Sequence, residues 1–329
     1  MSVFTAPAYD GHELVAFHRD PRSGLNAIIA VHDTALGPGV GGCRMYPYSS
    51  DAEALHDVLR LSRGMSYKSA LAGLPMGGGK SVIIGDPARD KSRELLQAMG
   101  DFIQSQGGRY VAAEDSGTGV DDIRIMRERT PHVSGLDDNE YGGDPSPSTA
   151  FGVYLGIRTA VGHRLGSVTL EGLSVAVQGL GHVGFHLAQL LCAEGATVYG
   201  ADVNRDNIAR AVRELGVIEV APQGVLGLEV DVLAPCAMGA VLDQHSIAGL
   251  RAGIVAGAAN NQLLEDRHGA ALHARNILYA PDYVINAGGL INIAAELQPG
   301  GYDGTRALAQ VEAIGTTLTE VFERAAADQ

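Results

Sequence analysis

The stretch from Leu173 to Asp202, LSVAVQGLGHVGFHLAQLLCAEGATVYGAD, constrains the fold more than any other part of the chain. An apolar run ending at Gln178 leads into Gly179-Leu-Gly181-His-Val-Gly184. A helical run follows, and a second apolar run ends at Asp202. Glycine triples of this spacing arise often in a chain with 44 glycines, and a purely structural turn is the alternative. The order strand, glycines, helix, strand, acid is what narrows the choice. Such a unit belongs in a parallel sheet whose strands are joined by crossover helices. The glycines permit a tight turn and close approach of a pyrophosphate to the positive end of the helix. Asp202 stands where a carboxylate accepts hydrogen bonds from an adenosine ribose and repels a 2′-phosphate. Gly179, Gly181, Gly184 and Asp202 are therefore expected to bind NAD rather than NADP.

The alternation continues through VDVLAPCA, GIVAGAAN and NILYAPDYVIN, the pattern of a doubly wound parallel sheet. Upstream, NAIIAVHDT (26–34) reads as a buried strand and is followed by the glycine-rich LGPGVGGCRMYPY. SSDAEALHDVLRLSRGMSYKSALAG then has helical spacing, KSVIIGDP reads as a strand, SRELLQAMGDFIQSQ as a helix and RYVAAED (109–115) as a strand. Gly, Pro, Ser and Asp crowd GLDDNEYGGDPSPSTA (135–150), the expected boundary, with a helix over about 148–163 leading out of it. The expected division is a first domain over 1–140 and a dinucleotide-binding domain over 141–304. The stretch about 305–329 reads as one helix, and its periodicity leaves it free to pack back towards the first domain.

With 329 residues, 46% of them hydrophobic, the chain is long enough for two cored domains. A formal net charge of −14 disfavours nucleic acid and anionic membrane surfaces as partners. Cys43, Cys192 and Cys236 form no C-x-x-C pair, and no His/Cys cluster has metal-ligand spacing, so neither a disulfide framework nor a metal is expected. The first twenty residues lack the pattern of a signal peptide, and no apolar run is long enough to span a bilayer. A soluble cytoplasmic protein is the expectation.

Lys80 stands behind three glycines in GLPMGGGKSVIIGDP. A phosphate-binding loop, G-x-x-x-x-G-K-[ST], would need glycine where Leu74 is, and would lead into a helix rather than the strand-like Ser-Val-Ile-Ile. Lys80 thus needs another role, or is a solvated turn lysine. Lys68 lies at the border of a helix's apolar face, near Leu61, Met65 and Ala72, where an exposed, snorkelling lysine is the plain alternative. Asp115 closes a strand and is equally suited to cap the helix in SGTGVDDIRIM.

Segments 41–87 (GGCRMYPYSSDAEALHDVLRLSRGMSYKSALAGLPMGGGKSVIIGDP), 111–123 (VAAEDSGTGVDDI), 144–157 (DPSPSTAFGVYLGI), 178–184 (QGLGHVG) and 283–297 (YVINAGGLINIAAEL) together resemble the amino-acid dehydrogenase family of glutamate, leucine, phenylalanine and valine dehydrogenases. The likeness is nearest to the leucine/phenylalanine/valine branch and runs collinearly along nearly the whole chain. It implies an N-terminal mixed-sheet α/β substrate domain, a Rossmann-type NAD domain and a cleft between them. The implied reaction is oxidative deamination of an apolar L-amino acid of the branched-chain, leucine or valine type to the 2-oxo acid and ammonia, and its reverse. An aromatic L-amino-acid dehydrogenase, and a non-catalytic NAD-binding regulatory homologue, are the other readings.

By the resemblance, Lys68 pairs with the substrate α-carboxylate, Lys80 is the catalytic lysine and Asp115 transfers protons. Hydride loss from Cα leaves an iminium that water attacks, so a base is needed near neutral pH. A lysine serves only if burial or a neighbouring cation lowers its pKa. The glycines before Lys80 are then expected to let substrate and nicotinamide approach the backbone. Thr149 and Asn261 match positions that touch nicotinamide or substrate, with Asn260 competing for the asparagine register; a polar residue at a strand end is the alternative for either. Val40 and Ile293 stand where the glutamate branch grips a side-chain carboxylate. With Met65, Ala113 and Leu290 they imply an apolar pocket, costly for an unpaired carboxylate to enter. The chain ends earlier than leucine-type members, whose terminal helices pack between subunits; the resemblance implies a homo-oligomer without fixing its subunit number.

Overall fold

Residues 25–31, LNAIIAV, form an almost unbroken apolar run, and a strand built from such a run has to be covered on both faces. The computed structural model describes residues 2–136, 144–166, 169–237, 239–297 and 302–328. Its first sheet contains β1 (Leu14–Asp20), β2 (Leu25–Asp33), β3 (Gly39–Tyr46), β4 (Gly77–Ile84) and β5 (Tyr110–Ala113), in the order β1-β2-β4-β3-β5. Between the strands run α1 (Asp51–Leu71) and α2 (Arg93–Gln104), and α3 (Val120–Arg127) follows β5. Ala27, Ile29 and Val31 of β2 face Leu96, Met99 and Ile103 of α2, whereas Ile28 and Ala30 face Val58 and Leu59 of α1. Alternate residues of one strand thus supply two cores. β1–β2 and β2–β4 are antiparallel, and β3–β4 and β3–β5 parallel, so the sheet is mixed.

α1 begins where the sequence offers a cap. Ser50 Oγ accepts from Glu53 N (3.2 Å), and Glu53 Oε2 accepts in turn from Ser49 N (2.8 Å). Two strands of this sheet depart from the sequence reading. β1 follows chain with no expected strand, and is half exposed at the sheet edge. β3 lies in the glycine-rich run, where Val40, Cys43 and Met45 are buried with their glycine neighbours.

The second sheet is built entirely from parallel pairs, in the order β11-β10-β9-β6-β7-β8. Its strands are β6 (Ser174–Gln178), β7 (Thr197–Ala201), β8 (Ile218–Glu219), β9 (Val232–Pro235), β10 (Ile254–Val255) and β11 (Leu278–Tyr279). The associated helices are α4 (Ser146–Leu165), α5 (His182–Ala193), α6 (Arg205–Leu215), α7 (Gln244–Gly249), α8 (Arg267–Ala274), α9 (Asp282–Ile285), α10 (Gly288–Glu296), α11 (Gly304–Glu312) and α12 (Ile314–Ala327). From β6 the chain steps outward through β7 and β8, then returns to β9 and steps the other way. A crevice for a ligand therefore opens at the carboxyl ends of β6 and β9. The fold is α/β, as the alternation predicts.

Two compact units result: Met1–Asp144 with Ile293–Gly304, and Pro145–Asn292 with Thr305–Gln329. Part of the expected boundary segment, 137–143, lies outside the described residues. The C-terminal stretch forms two helices instead of one. α12 packs on α4 and α9 within the second unit, where the rings of His163 and Phe322 lie 4.8 Å apart at a tilt. Among the described residues no helix is long and apolar enough to cross a membrane.

Candidate functional site

Lys80 pairs with Ala30 across β2 and β4 and so points to the side covered by α1. It is 3% exposed, which removes the solvated-turn alternative. Its Nζ donates to Asp115 Oδ2. Asp115, just beyond β5, is no helix cap: α3 is capped at Gly119, whose N–H donates to Asp122 Oδ2 (2.9 Å). Asp115 Oδ1 instead accepts from Arg44 Nε (3.1 Å) and from Ser116 N (2.6 Å). Thr118 Oγ1 accepts from Asp115 N (3.1 Å) and donates to Cys43 O (2.7 Å), fastening this loop to β3. Burial alone would raise the carboxyl's pKa; Lys80 and Arg44 outweigh it and hold Asp115 well below the usual carboxylate range. Asp115 is therefore ionised, with both oxygens engaged.

The glycines before Lys80 have a different job from the expected one. A Cβ on Gly78 would overlap Ser66 Oγ and N of α1, and one on Gly79 would meet the Tyr110 ring at 2.7 Å. These positions are filled by the protein itself. The missing side chains let α1 close on one face of β4 and Tyr110 on the other, and α1 covers the face that carries Lys80. Gly42 plays the equivalent part for the acid, since a Cβ there would lie 2.6 Å from Asp115 Cβ. Tyr110 Oη completes the support by donating to Gly41 O (2.8 Å), beside Ser81 Oγ (2.9 Å).

Lys68, on α1, is 8% exposed rather than snorkelling. Met65 is half-buried, and its side chain lies where a Cβ on Gly41 would approach it to 3.3 Å. Val40 is wholly buried, paired with Gly78 and Val111, and offers no surface; Ala113, at the end of β5, offers almost none. Of the pocket residues expected in this unit, Met65 and Ile293 carry accessible area. Glu296, one turn beyond Ile293, accepts at Oε2 from Gly135 N (3.1 Å) and fixes the end of α10.

In the second unit Gly179 has φ +94°, which only glycine adopts readily, and a Cβ on it would meet Ala237 at 2.9 Å. A Cβ on Gly184 would overlap Gly179 O, so α5 packs there directly on the turn. Gly181, at the N-cap of α5, has nothing within 4 Å of a would-be Cβ. The open glycine between two closed ones leaves backbone for a ligand at the helix N-terminus, so the residues fit a pyrophosphate. Asp202 Oδ2 accepts from Leu180 N inside this turn (2.7 Å) and from Asn207 Nδ2 (3.2 Å), and Oδ1 from Asn204 N (2.7 Å).

Elsewhere in this unit, Asn260 Oδ1 accepts from Asn286 Nδ2 (3.0 Å), which orients its carboxamide. Asn261 has a left-handed backbone, φ +51°, and donates its N–H to Asp282 Oδ2 (2.8 Å). Thr149, in the first turn of α4, donates from Oγ1 to Pro145 O (3.0 Å). Leu290 is buried in α10.

Sequence reasoning missed Arg44 and its second partner Asp57, whose Oδ2 accepts from Arg44 Nη1 (2.9 Å). A signal existed: an arginine inside an otherwise uncharged strand, two residues after Gly42, shares the face of whatever the glycine accommodates.

Residues 12–132 match the Glu/Leu/Phe/Val dehydrogenase dimerisation domain, and residues 201–303 match the glutamate/leucine/phenylalanine/valine dehydrogenase domain. The leucine dehydrogenase of Bacillus cereus is 51% identical over 96% of this chain and 86% of its own length. The phenylalanine dehydrogenase of Caldalkalibacillus thermarum is 48% identical over 99% and 89%. The crystal structure of L-tryptophan dehydrogenase from Nostoc punctiforme superposes with a TM-score of 0.75 at 44% identity, covering 95% of this chain and 90% of that one. The chain belongs to the glutamate/leucine/phenylalanine/valine dehydrogenase family, in its leucine/phenylalanine/valine branch, and is an oxidoreductase acting on amino acids.

Proposed function

We propose that the protein catalyses NAD-dependent oxidative deamination of an apolar L-amino acid, and the reverse reductive amination, with Lys80 as base, Asp115 as its proton partner and Lys68 holding the substrate carboxylate. The observation that carries this reading is the buried Lys80–Asp115 pair, in a unit whose α1 also buries Lys68. As found, Asp115 stabilises the Lys80 ammonium, and an ammonium is no base. An amino acid brings its own ammonium group. Set against Asp115, that group competes for the carboxylate and leaves Lys80 beside a second cation, the condition that lowers a lysine's pKa. Substrate binding thus prepares the base. The substrate ammonium gives a proton to Asp115 before Cα loses its hydride, neutral Lys80 takes a proton from the water that attacks the resulting iminium, and Asp115 returns its proton to the amine as it departs. NAD would be held by Gly179, Gly181, Gly184 and Asp202, with Thr149 and Asn260 as further contacts, and would supply the hydride acceptor. Asn261 completes the hold on the substrate.

Met65 and Ile293 offer apolar surface to the substrate side chain, and Val40, Ala113 and Leu290 are the other apolar residues assigned to that role. A homo-oligomer fits the dimerisation-domain match. Aromatic amino acids are the second reading, favoured by the similarity to phenylalanine and tryptophan dehydrogenases. NADH formation at 340 nm from a panel of L-amino acids, with NAD and then NADP, tests the proposal. An apolar amino acid should exceed glutamate by at least ~100-fold in kcat/KM, about 3 kcal/mol for an unpaired buried carboxylate. NAD should be strongly preferred, because a 2′-phosphate would face Asp202. Glutamate as the best substrate, equal use of NADP, or no turnover at all would each contradict it.

A further inference from the structure

The Lys80–Asp115 pair is the inner end of a longer row. Arg44 Nε donates to Asp115 Oδ1 (3.1 Å), Arg44 Nη1 donates to Asp57 Oδ2 (2.9 Å), and Tyr48 Oη donates to the same Asp57 oxygen (2.6 Å). Cation and anion alternate, one each from β4, the loop after β5, β3 and α1. Side-chain exposure rises along the row, 4% for Lys80, 10% for Asp115, 11% for Arg44 and 27% for Asp57. The row is electrically balanced, and its outer carboxylate alone reaches water substantially.

We propose that Asp57, acting through Arg44, is a positioning residue that sets both the orientation and the charge balance of the Lys80–Asp115 pair. The proposal rests on the reading of Lys80 as base given above. A guanidinium facing a lone carboxylate takes it with two parallel N–H bonds. Here Arg44 meets Asp115 with Nε on Oδ1 while Lys80 takes Oδ2, and Asp57 on Nη1 fixes the guanidinium in that orientation. Asp57 also cancels the arginine's charge. Without it the cluster carries an excess cation, which favours loss of the Lys80 proton; without Arg44 it carries an excess anion, which opposes that loss. Other titratable groups packed nearby do not supply this balance. Burial keeps Cys43 and Tyr110 neutral, pushing the Cys43 thiol up to about 12 and the Tyr110 phenol well above its usual value. Asp122 is paired with Lys91 (2.6 Å), and Lys68 is buried on α1.

The test reads opposite shifts from opposite charges. In Asp57→Asn the acid limb of kcat/KM should move to lower pH by about half a unit or more, the effect of one charge at this separation in a half-buried site. Plateau kcat should fall about 10-fold from the misplaced pair, with little change in amino-acid KM. Arg44→Met should move the limb to higher pH, and Asp57→Glu should restore it. Independently of turnover, the Lys80 Cε resonance, assigned with Lys80→Arg, should titrate at lower pH in Asp57→Asn and at higher pH in Arg44→Met. If the wild type oxidises no amino acid, the reading of Lys80 as base fails, and the resonance still decides the charge balance. If Arg44→Met does not fold, Asp57→Asn and Asp57→Glu decide. A limb and a resonance unmoved in Asp57→Asn, or moved to higher pH, would overturn the proposal.

Discussion

At the scale of single residues, burial converts ordinary side chains into specific chemical states. His12 is 5% exposed. Its Nδ1 accepts from Asp10 N (3.2 Å), so Nε2 carries the proton and donates to Leu59 O (3.0 Å) beside Ser62 Oγ (3.0 Å). Burial lowers its pKa below the ordinary 6.5, against a smaller upward pull from Leu59 O. The unfolded chain therefore binds a proton that the folded one refuses. Stability should fall as the pH drops from about 6.5 towards the folded-state value, and be unaffected by this group above that range. The difference in Tm between pH 7.5 and 5.5 should be larger in the wild type than in His12→Gln. Equal differences would mean that His12 takes up its proton over the same pH range in the folded and unfolded chain.

At the scale of elements, the three glycines proposed to hold the nucleotide should separate folding from binding. In Gly184→Ala a methyl group would overlap Gly179 O, and α5 would have to leave the sheet; a loss of about 2 kcal/mol or more is expected, read as a fall in Tm. Gly181→Ala meets nothing within 4 Å and has an ordinary φ of −64°, so Tm should hold while the KM for NAD rises. Gly78→Ala should behave like Gly184→Ala, since Ser66 of α1 stands in its place. A thermal shift for each variant beside a KM for NAD distinguishes them.

The turn around Gly179 was legible in the sequence because its strand, glycines, helix and acid lie within thirty residues of one another. β3 was not, because its glycines look like linker until a helix and an acid are packed against them. β1, half exposed at an edge, carries too little apolar alternation to stand out. The partners of Asp115 were legible only in part. Residues 44, 57, 80 and 115 meet through strand pairing that no local pattern encodes.

At the scale of the molecule, the two units divide the work: one assembles buried charges around Lys80, the other presents open backbone at Gly181. A change in the first should leave NAD binding, followed by calorimetry, intact. Lys68→Ala should then act mainly on the amino-acid KM, since Lys68 is the proposed partner of the substrate carboxylate. Lys80→Ala should act on chemistry, and its kcat with the preferred L-amino acid is the measurement closest to the centre of this account. A fall of at least ~100-fold with NAD affinity unchanged is the predicted result, the usual scale for loss of a general base. A near-normal kcat would contradict it, leaving Lys80 as a buried structural partner of Asp115 and the reaction without its base.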